Sequence, residues 1–409
     1  MIQRGGERAP AAVPAWRGGF GRLWAAAVVS RFGDALRGAA LPLLAVSLTD
    51  SPVLVSLVTA CGFLPWLLFG LIGGAIADRV DQRRAMWAVD GVRAALMAGF
   101  ALAVWKGHAT IGLLLALGFA LTTLQTLFDN AATALLPSVV GQEALGRANA
   151  RLMTGQEVMG RFVGAPLVPV LLGLGAAMPY AADAATYLIA AALVGSLGAA
   201  PAERAPRPPG RSIRRDMAEG IGVLWRDRLL RALCASTMLC NIGIGALIAT
   251  LVLHITGWLD AGNTGYAAVI TVYGIGSVTG GLVAARLTEW LGRTRVIMVC
   301  GTVQIGALTA LGAIRSLPAA VAAMGLFGLA GIVWNVTQVT MMQQRSPAET
   351  LGRVSAAFRT LSIAGAPLGA LLGGVMAAAW GLNTPALGAA VLFACGLAPL
   401  VPGMRTAIN

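Results

Sequence analysis

Long apolar segments recur along the whole chain, and they constrain the fold more than any other feature of the sequence. Each is about 20 residues long, and short polar stretches separate them. A helix of this length spans the hydrocarbon core of a bilayer and satisfies its own backbone hydrogen bonds. The sequence therefore predicts an all-α membrane protein with twelve transmembrane helices. The predicted spans are 23–47, 53–77, 85–105, 110–133, 154–175, 179–199, 231–253, 265–287, 295–314, 318–340, 354–378 and 384–403.

The composition excludes a water-soluble fold. Only 11% of the 409 residues are charged and 57% are hydrophobic, whereas soluble domains carry about 25% charged residues. The net charge of +13 is distributed over positions between the apolar segments. Because these basic residues do not form one soluble basic face, we predict no nucleic-acid partner.

Basic residues concentrate on alternate loops, and this sets the predicted orientation. The loops on one side hold most of the 30 Lys and Arg residues, and those on the other side hold only Lys106 and Arg315. The positive-inside rule places the basic side, with both termini, in the cytoplasm. Residues 1–20 have no apolar core and predict a polar tail, not a signal peptide. We therefore expect a multi-pass protein of the inner (plasma) membrane.

A polar linker divides the predicted helices into two groups. Residues 201–215 are rich in Pro and Arg, which is typical of an exposed loop. The segment Asp216–Leu230 is expected to form an amphipathic helix on the membrane surface, or a solvated linker helix. The predicted units are an N-terminal six-helix bundle (1–200), this linker (201–230) and a C-terminal six-helix bundle (231–409). The apolar face of the linker helix is expected to hold Trp225, Leu229 and Leu230, opposite Arg226 and Arg228.

The two groups of helices repeat short motifs at corresponding places. The segment 143–147 reads EALGR and the segment 349–353 reads ETLGR, each before the fifth helix of its half. Downstream, GAP at 164–166 answers GAP at 365–367. Such repeats predict two pseudo-symmetric halves with a binding site between them near the bilayer midplane.

The loop after the second predicted helix carries the strongest motif. Residues 74–84 read GAIADRVDQRR and resemble the G-x-L-A-D-R-x-G-R-R loop of the major facilitator superfamily. Gly74, Asp78, Arg79 and Arg83 match that motif, whereas Asp81 stands where a Gly is usual. The resemblance implies the twelve-helix major facilitator fold, transport activity, and a role for these four residues in closing the cytoplasmic gate. The alternative is a loop that only sets the topology.

A second motif lies in the fifth helix. Gly160, Gly164 and Pro166 resemble the G-x-x-x-G-P motif of exporters in this superfamily, and Gly365 with Pro367 repeats part of it in the eleventh helix. The resemblance implies close helix packing and favours bacterial exporters of the enterobactin- and macrolide-efflux group. Ordinary glycine packing in lipid is the alternative.

Ionisable residues inside predicted spans are the candidate coupling sites, because each costs at least about 2.5–3.5 kcal/mol to insert. Arg31, Asp34 and Arg37 follow one another at intervals of three residues along the first helix. Asp34 lies about 18 Å along that helix from Arg22, near mid-membrane. We interpret Asp34, with Arg31 beside it, as a proton-carrying or substrate-binding group. A structural ion pair with Arg31 or Arg37 is the alternative.

Four further residues complete the candidate site. Glu157 and Arg161 are spaced i, i+4 in the fifth helix, which predicts a local ion pair with a structural or a coupling role. Asn335 and Gln338 are spaced i, i+3 in the tenth helix, and they line a cavity or bond neighbouring helices.

Three more charged positions are interpreted as structural. Asp90 and Arg93 are expected to form a local pair in the third helix. Asp183 is expected to cap the outer end of the sixth helix.

The residue inventory argues against an enzyme. The five cysteines lie in apolar stretches without a Cys-x-x-Cys pair, and the chain has two His, so we expect no metal site, no cofactor and no disulfide. No phosphate-binding G-x-x-x-x-G-K-[ST] motif occurs, which argues against direct ATP coupling.

We therefore predict a secondary exporter of a small organic molecule, such as a drug, a siderophore or an amphipathic metabolite. It is expected to act as a monomer in the lipid bilayer by alternating access and proton antiport. A proton-coupled uptake symporter and a non-transporting sensor or assembly protein are the alternatives.

Overall fold

A computed structural model of the chain describes residues 19–77, 81–140, 145–197, 213–346 and 351–400, and within these ranges the fold is helical. Asp78 and Arg79 lie outside the described residues. The helices are numbered here in chain order. They are α1 (Gly19–Leu48), α2 (Pro52–Ala77), α3 (Gln82–Trp105), α4 (Ile111–Val140), α5 (Leu145–Val158), α6 (Ala165–Leu174), α7 (Met178–Gly195), α8 (Ile213–Arg226), α9 (Arg228–Leu253), α10 (Gly262–Leu291), α11 (Arg293–Ala313), α12 (Leu317–Arg345), α13 (Leu351–Ile363), α14 (Gly365–Trp380) and α15 (Thr384–Leu397).

Most of these helices are long and apolar. Within the described part of the chain, eight helical segments are long and apolar enough to cross a membrane, judged by length and composition, and one of them, Ala357–Trp380, includes parts of α13 and α14. Two shorter apolar segments accompany them, Pro52–Trp66 within α2 and Thr384–Leu397, which is α15. The helix α1 has the length of a span, at 30 residues, but it carries charged residues in its middle. The all-helical membrane architecture expected from the sequence is therefore confirmed for the described residues.

Two of the apolar segments are interrupted. A π-helical turn, Met159–Gly164, connects α5 to α6. Pro166 then occupies the first turn of α6, where a residue without an N–H is tolerated because that group would have no helical partner. The second interruption falls at Ala364, between α13 and α14, and Pro367 lies in the first turn of α14. Both interruptions coincide with the repeated GAP sequence.

The helices pack in the same order twice. In the first part of the chain, α1 packs against α7, α2 against α4, and α3 against both α4 and α7. In the second part, α9 packs against α15, α10 against α12, and α11 against both α12 and α15. Contacts between the two groups run from α2 to α14 and α9, and from α10 to α6 and the π turn. The two groups of helices thus share the same set of pairings.

The segment Asp216–Leu230, predicted to be one linker helix, is divided at Asp227 between α8 and α9. The helix α8 ends at Arg226, and the carboxylate of Asp227 accepts hydrogen bonds from the backbone N–H groups of Leu229 and Leu230 at 2.8 and 3.0 Å. An Asp in this position caps a new helix, so both Leu residues belong to α9 and are buried there. The expected apolar face is therefore wrong, since Trp225 lies on α8 whereas Leu229 and Leu230 lie on α9. The helix α8 instead packs against α13.

Candidate functional site

The carboxylate of Asp34 lies at the centre of a buried polar cluster. Its Oδ1 atom accepts hydrogen bonds from Arg37 Nη2 at 2.9 Å, Arg93 Nη2 at 3.0 Å and the Tyr187 hydroxyl at 2.5 Å. These donors come from three helices, α1, α3 and α7. Arg31 is farther away, with 4.0 Å between its Nη1 and Asp34 Oδ2, and its side chain is 46% exposed. Asp34 is thus a bonded group that joins three helices.

Arg37 extends the cluster to a second carboxylate on α7. Its Nη1 atom donates to the Tyr187 hydroxyl at 2.6 Å and lies 3.4 Å from Asp183 Oδ2. Asp183 is fully buried. The N-cap of α7 is Ala177, so Asp183 lies inside the helix. The expectation that Asp183 caps this helix is therefore wrong. Its carboxylate is inside the helix and faces α1, where it finds a guanidinium.

Arg93 extends the cluster in the other direction. Its Nη1 lies 3.2 Å from Asp90 Oδ1, so the predicted local pair on α3 is present. Its Nη2 also donates to Gln125 Oε1, and Gln125 in turn donates to Asp129 Oδ1 at 2.7 Å. The Tyr187 ring stacks on this guanidinium with 4.0 Å between Arg93 Cζ and the ring centroid. The Asp90–Arg93 pair is therefore part of the larger cluster around Asp34.

A glycine makes room for the second carboxylate. A Cβ atom on Gly33 would overlap the side-chain oxygens of Asp183 and Thr186. Because Gly33 has no side chain, α7 approaches the backbone of α1 and the Asp183 carboxylate reaches Arg37. This glycine precedes Asp34 in the sequence, so one short segment of α1 supplies both the central carboxylate and the space beside it.

An apolar cavity adjoins the cluster. It has a volume of about 410 Å³ and is bounded by α1, α2, α4, α9, α10 and the π turn. Arg37 is the charged residue that the described part of the chain contributes to its wall, and four hydroxyl-bearing side chains are spread around it, those of Thr59, Thr122, Tyr266 and Tyr273. A cavity of several hundred Å³ with apolar walls and few polar groups is typical of a small-molecule site.

The other predicted site residues lie elsewhere. Gln338 is buried, and its Oε1 accepts a hydrogen bond from Trp334 Nε1 at 2.7 Å. Asn335 is exposed, and neither residue is in the wall of the described cavity.

The predicted pair in the fifth helix spans a change of helix type. Glu157 lies at the end of α5 and Arg161 lies in the π turn that begins at Met159. Their side chains are outside what the structure describes. The i, i+4 argument assumed an α-helix, so their spacing no longer predicts a shared face.

Of the four residues that match the loop motif, the structure describes Gly74 and Arg83. Gly74 lies in the last part of α2. At the other end, Arg83 Nε donates to the Val194 carbonyl at 3.2 Å, and its Nη2 donates to the Gly195 carbonyl. Arg83 therefore donates to two carbonyls at the C-terminal end of α7, where a cation is favoured. These partners belong to the same group of helices as Arg83.

The glycines of the packing motif lie at close helix contacts. A Cβ on Gly164 would lie 2.6 Å from the Cβ of Ala35 on α1, and one on Gly160 would lie 3.5 Å from Arg31 Cγ. In the second half, a Cβ on Gly365 would lie 2.6 Å from the carbonyl oxygen of Met238. The close packing that the motif predicts is present at Gly164 and Gly365.

Sequence reasoning missed two members of the cluster. Tyr187 and Gln125 are uncharged polar residues within apolar helices, and nothing in their local pattern distinguishes them from residues that face a neighbouring helix. Their roles depend on the packing of α7 and α4 around α1, which no short motif encodes.

Comparisons with known proteins agree with this architecture. A family model described as Major Facilitator Superfamily matches residues 23–366 and 233–406. An uncharacterized MFS-type transporter, y4rN of Sinorhizobium fredii, is 29% identical over 87% of both chains. The multidrug efflux pump Tap of Mycobacterium tuberculosis is 27% identical over 93% of this chain and 92% of its own length. The crystal structure of a bacterial homologue of the human lysosomal transporter Spinster is similar in fold, with a TM-score of 0.74 and 14% identity over 95% of this chain and 96% of that one.

Proposed function

Because this chain belongs to the major facilitator superfamily of membrane transporters, we propose that it exports a small organic molecule by alternating access coupled to proton antiport. It is a multi-pass membrane protein with relatives among efflux pumps. The full-length similarity to a multidrug efflux pump, 27% identity over 93% of this chain, supports export in preference to uptake. The expected substrates are drugs, siderophores or amphipathic metabolites.

In the proposed architecture, twelve membrane spans form two six-helix halves in one monomer. The segments α5–α6 and α13–α14 each count as one interrupted span, and α8 belongs to the linker. The halves are residues 1–200 and 231–409, and both termini are cytoplasmic at the inner membrane. The repeated order of helix packing and the concentration of Arg in alternate loops support this arrangement.

The cavity beside the cluster is the proposed substrate site, and it is the observation that carries the proposal. Helices from both proposed halves bound it, which is where an alternating-access transporter holds its substrate. Its apolar walls favour an amphipathic molecule, and its hydroxyl groups give polar parts of the substrate hydrogen-bond partners. Arg37 lines this cavity and also bonds Asp34, so substrate binding and the charge state of the cluster share one side chain.

Asp34 is the proposed coupling carboxylate. In its ionised form it holds Arg37 from α1, Arg93 from α3 and Tyr187 from α7 on a single oxygen. Protonation of Asp34 removes the negative charge to which both guanidiniums are bonded. The bonds then weaken, because hydrogen bonds between charged groups are about twice as strong as those between neutral groups. Proton uptake therefore loosens the contact between α1 and its neighbours and changes what Arg37 presents to the cavity.

Inside-out membrane vesicles with an acidic lumen test this proposal. We expect accumulation of at least one probe among tetraphenylphosphonium, erythromycin and a catecholate siderophore, and we expect a protonophore to abolish it. Asp34→Asn should remove the gradient-driven part of uptake. Asp260→Asn is the matched control, because Asp260 is exposed and its positive φ of 53° suits Asn as well as Asp.

The alternatives give different results in the same vesicles. An uptake symporter would release probe from a preloaded acidic lumen together with protons. A sensor or assembly protein would give no flux of any probe although the protein is folded in the vesicles. Unchanged gradient-driven uptake in Asp34→Asn would remove Asp34 from the mechanism.

A further inference from the structure

The guanidinium of Arg37 keeps donors that the buried cluster does not use. Its Nη1 atom contacts the Tyr187 hydroxyl and Asp183, and its Nη2 atom donates to Asp34. A guanidinium has five N–H groups, so these contacts leave Nε–H and one Nη2–H without a partner among the described residues. Arg37 lines the cavity, and its side chain is 15% exposed. The two remaining N–H groups are therefore available to a molecule in the cavity.

A tyrosine hydroxyl in the cavity wall also lacks a partner. Tyr266 of α10 lines the cavity and is only 4% exposed, and its hydroxyl makes no hydrogen bond to the described part of the chain. The deeply buried Tyr180 and Tyr187, in contrast, donate to a backbone carbonyl and to Asp34. An unpaired hydroxyl on a buried side chain is costly. A molecule in the cavity would supply the partner that the protein lacks.

Two threonines in the wall do not make the hydrogen bond that is usual for threonine in these helices. Thr123 and Thr126 of α4, like most of the described helical threonines, donate to the carbonyl one turn earlier. Thr59 of α2 and Thr122 of α4 have no such bond within the described helices, and both line the cavity. Their hydroxyls are therefore available to a bound molecule. Thr123 lies outside the described wall, which makes it a matched control for Thr122.

These free groups restrict the polar part of a molecule that binds here. A guanidinium donates hydrogen bonds and cannot accept them, so its partner must carry an acceptor oxygen. An anionic group would compete with Asp34 and Asp183, which already contact Arg37. A cationic group would be repelled by the guanidinium and offers it no acceptor. An uncharged carbonyl or ether oxygen meets neither obstacle.

We propose that the cavity selects uncharged amphipathic molecules with carbonyl or ether oxygens, and that Arg37, Thr122 and Tyr266 determine this specificity. The inference rests on the proposed function, since it names the substrate class of the same cavity. The free N–H groups of Arg37 and the hydroxyls of Thr122 and Tyr266 donate to oxygens of the molecule, and the apolar walls enclose the rest. Arg37 and Thr122 lie in the first group of helices and Tyr266 in the second, so such a molecule contacts both groups at once.

Three probes built on one pyrene scaffold test the choice of polar group. The methyl ester of pyrene-butyrate is uncharged, pyrene-butyrate is an anion and pyrene-butylammonium is a cation. Binding of each probe to the purified protein in lipid nanodiscs is measured by fluorescence, and binding to empty nanodiscs is subtracted. We expect the ester to bind most tightly of the three. Tighter binding of either charged probe overturns the inference.

Removal of single hydroxyls tests the assigned residues. Tyr266→Phe and Thr122→Val should each weaken binding of the ester by about 2- to 10-fold, which is the usual net effect of one hydrogen bond. Thr123→Val should leave the affinity unchanged, because the Thr123 hydroxyl is bonded within α4. A thermal unfolding curve of each variant shows that it is folded. Wild-type affinity in either Tyr266→Phe or Thr122→Val overturns the assignment of that specificity.

The same measurements separate this inference from the proposed function. Binding needs no gradient, so absence of gradient-driven uptake by the wild-type protein refutes the exporter proposal and leaves the binding result to decide the inference. Gradient-driven uptake of tetraphenylphosphonium, together with weaker binding of the ester than of pyrene-butylammonium, overturns the inference and leaves the exporter proposal intact.

Discussion

Gly164 is the most informative packing residue in the molecule, because it sets the distance between the π turn and α1. Its φ and ψ angles, −65° and −58°, are those of a right-handed helix, so alanine is compatible with the backbone. The added Cβ would lie 2.6 Å from the Cβ of Ala35 and 3.3 Å from the carbonyl oxygen of Phe32. Neither a Cβ nor a carbonyl can rotate away, so the two backbones must separate.

The size of the effect follows from these distances. Carbon atoms in contact are about 3.5–4.0 Å apart, so Gly164→Ala must move α1 and the π turn apart by about 1 Å. Overpacking of a close contact costs about 1–3 kcal/mol, and a rigid contact of this kind falls at the upper end. Replacing Gly by Ala in a helix recovers about 1 kcal/mol. We therefore expect a net destabilisation of about 2 kcal/mol.

Thermal unfolding of the purified protein in detergent, followed by tryptophan fluorescence, measures this difference. For a unit of about 200 residues, 2 kcal/mol corresponds to a fall in Tm of about 4–8 °C. The matched control is Gly173→Ala in α6, where a Cβ meets no atom within 4 Å and where stability should be unchanged or slightly higher. If Gly164→Ala unfolds at or above the temperature of Gly173→Ala, the close approach of the π turn to α1 is refuted.

Three further substitutions test other contacts. Arg83→Ala should lower Tm because it removes two hydrogen bonds from a charged side chain to carbonyls at the end of α7, each of which contributes at most about 1.5–3 kcal/mol. The control Arg84→Ala should leave Tm unchanged, because the Arg84 side chain is 81% exposed. Burial raises the pKa of Asp227, but hydrogen bonds from backbone N–H groups and from Arg345 outweigh it and lower the pKa below its ordinary 3.8. Its contribution to stability is therefore complete above pH 3.8 and is lost as the pH falls through the lower folded-state pKa, and Asp227→Asn should flatten that part of an acid-unfolding curve. Gly33→Ala should displace the Asp183 carboxylate on α7, so we expect gradient-driven uptake in vesicles to fall while most of the protein stays folded at the assay temperature. A fall in uptake that only matches the loss of folded protein in a thermal unfolding curve would indicate misfolding alone.

The helices could be predicted because lipid imposes a simple requirement on the chain. A spanning helix must be apolar over its whole length, so its position is visible in a short window of sequence. The predicted span 85–105 and the observed helix Gln82–Trp105 differ by three residues at one end. The predicted span 110–133 contains the apolar segment Ile111–Asp129. The helix α4 itself continues to Val140, because helices extend beyond the apolar region into polar surroundings where hydropathy carries no signal.

Local hydrogen bonds decided the features that the sequence did not predict. The break between α8 and α9 depends on the Asp227 side chain bonding to two N–H groups, and an Asp within a polar segment is compatible with a continuous helix. The π turn at Met159–Gly164 follows a hydrogen-bond pattern that the hydropathy of the segment does not distinguish from that of an α-helix. Periodicity arguments assume a regular helix and therefore do not predict which faces residues on either side of the turn occupy.

The charge cluster was predicted only as separate local pairs within α1 and within α3. Three charged residues at intervals of three on α1 identified Asp34 as the centre. The other members come from α3, α4 and α7, and their meeting depends on which helices are neighbours. Asp183 was misplaced because an acid near the start of an apolar helix is more often a cap than an internal ligand, and only the contact with Arg37 distinguishes the two.

The hydrogen bonds of Asp34 also tie neighbouring helices into one mechanical unit. Asp34 of α1 accepts a bond from Arg93 of α3 and one from Tyr187 of α7 on the same oxygen. Neither helix can therefore slide along α1 without breaking a hydrogen bond to that carboxylate. Under the proposed mechanism, the ionised carboxylate would make these three helices move together, and its protonation would let them move separately.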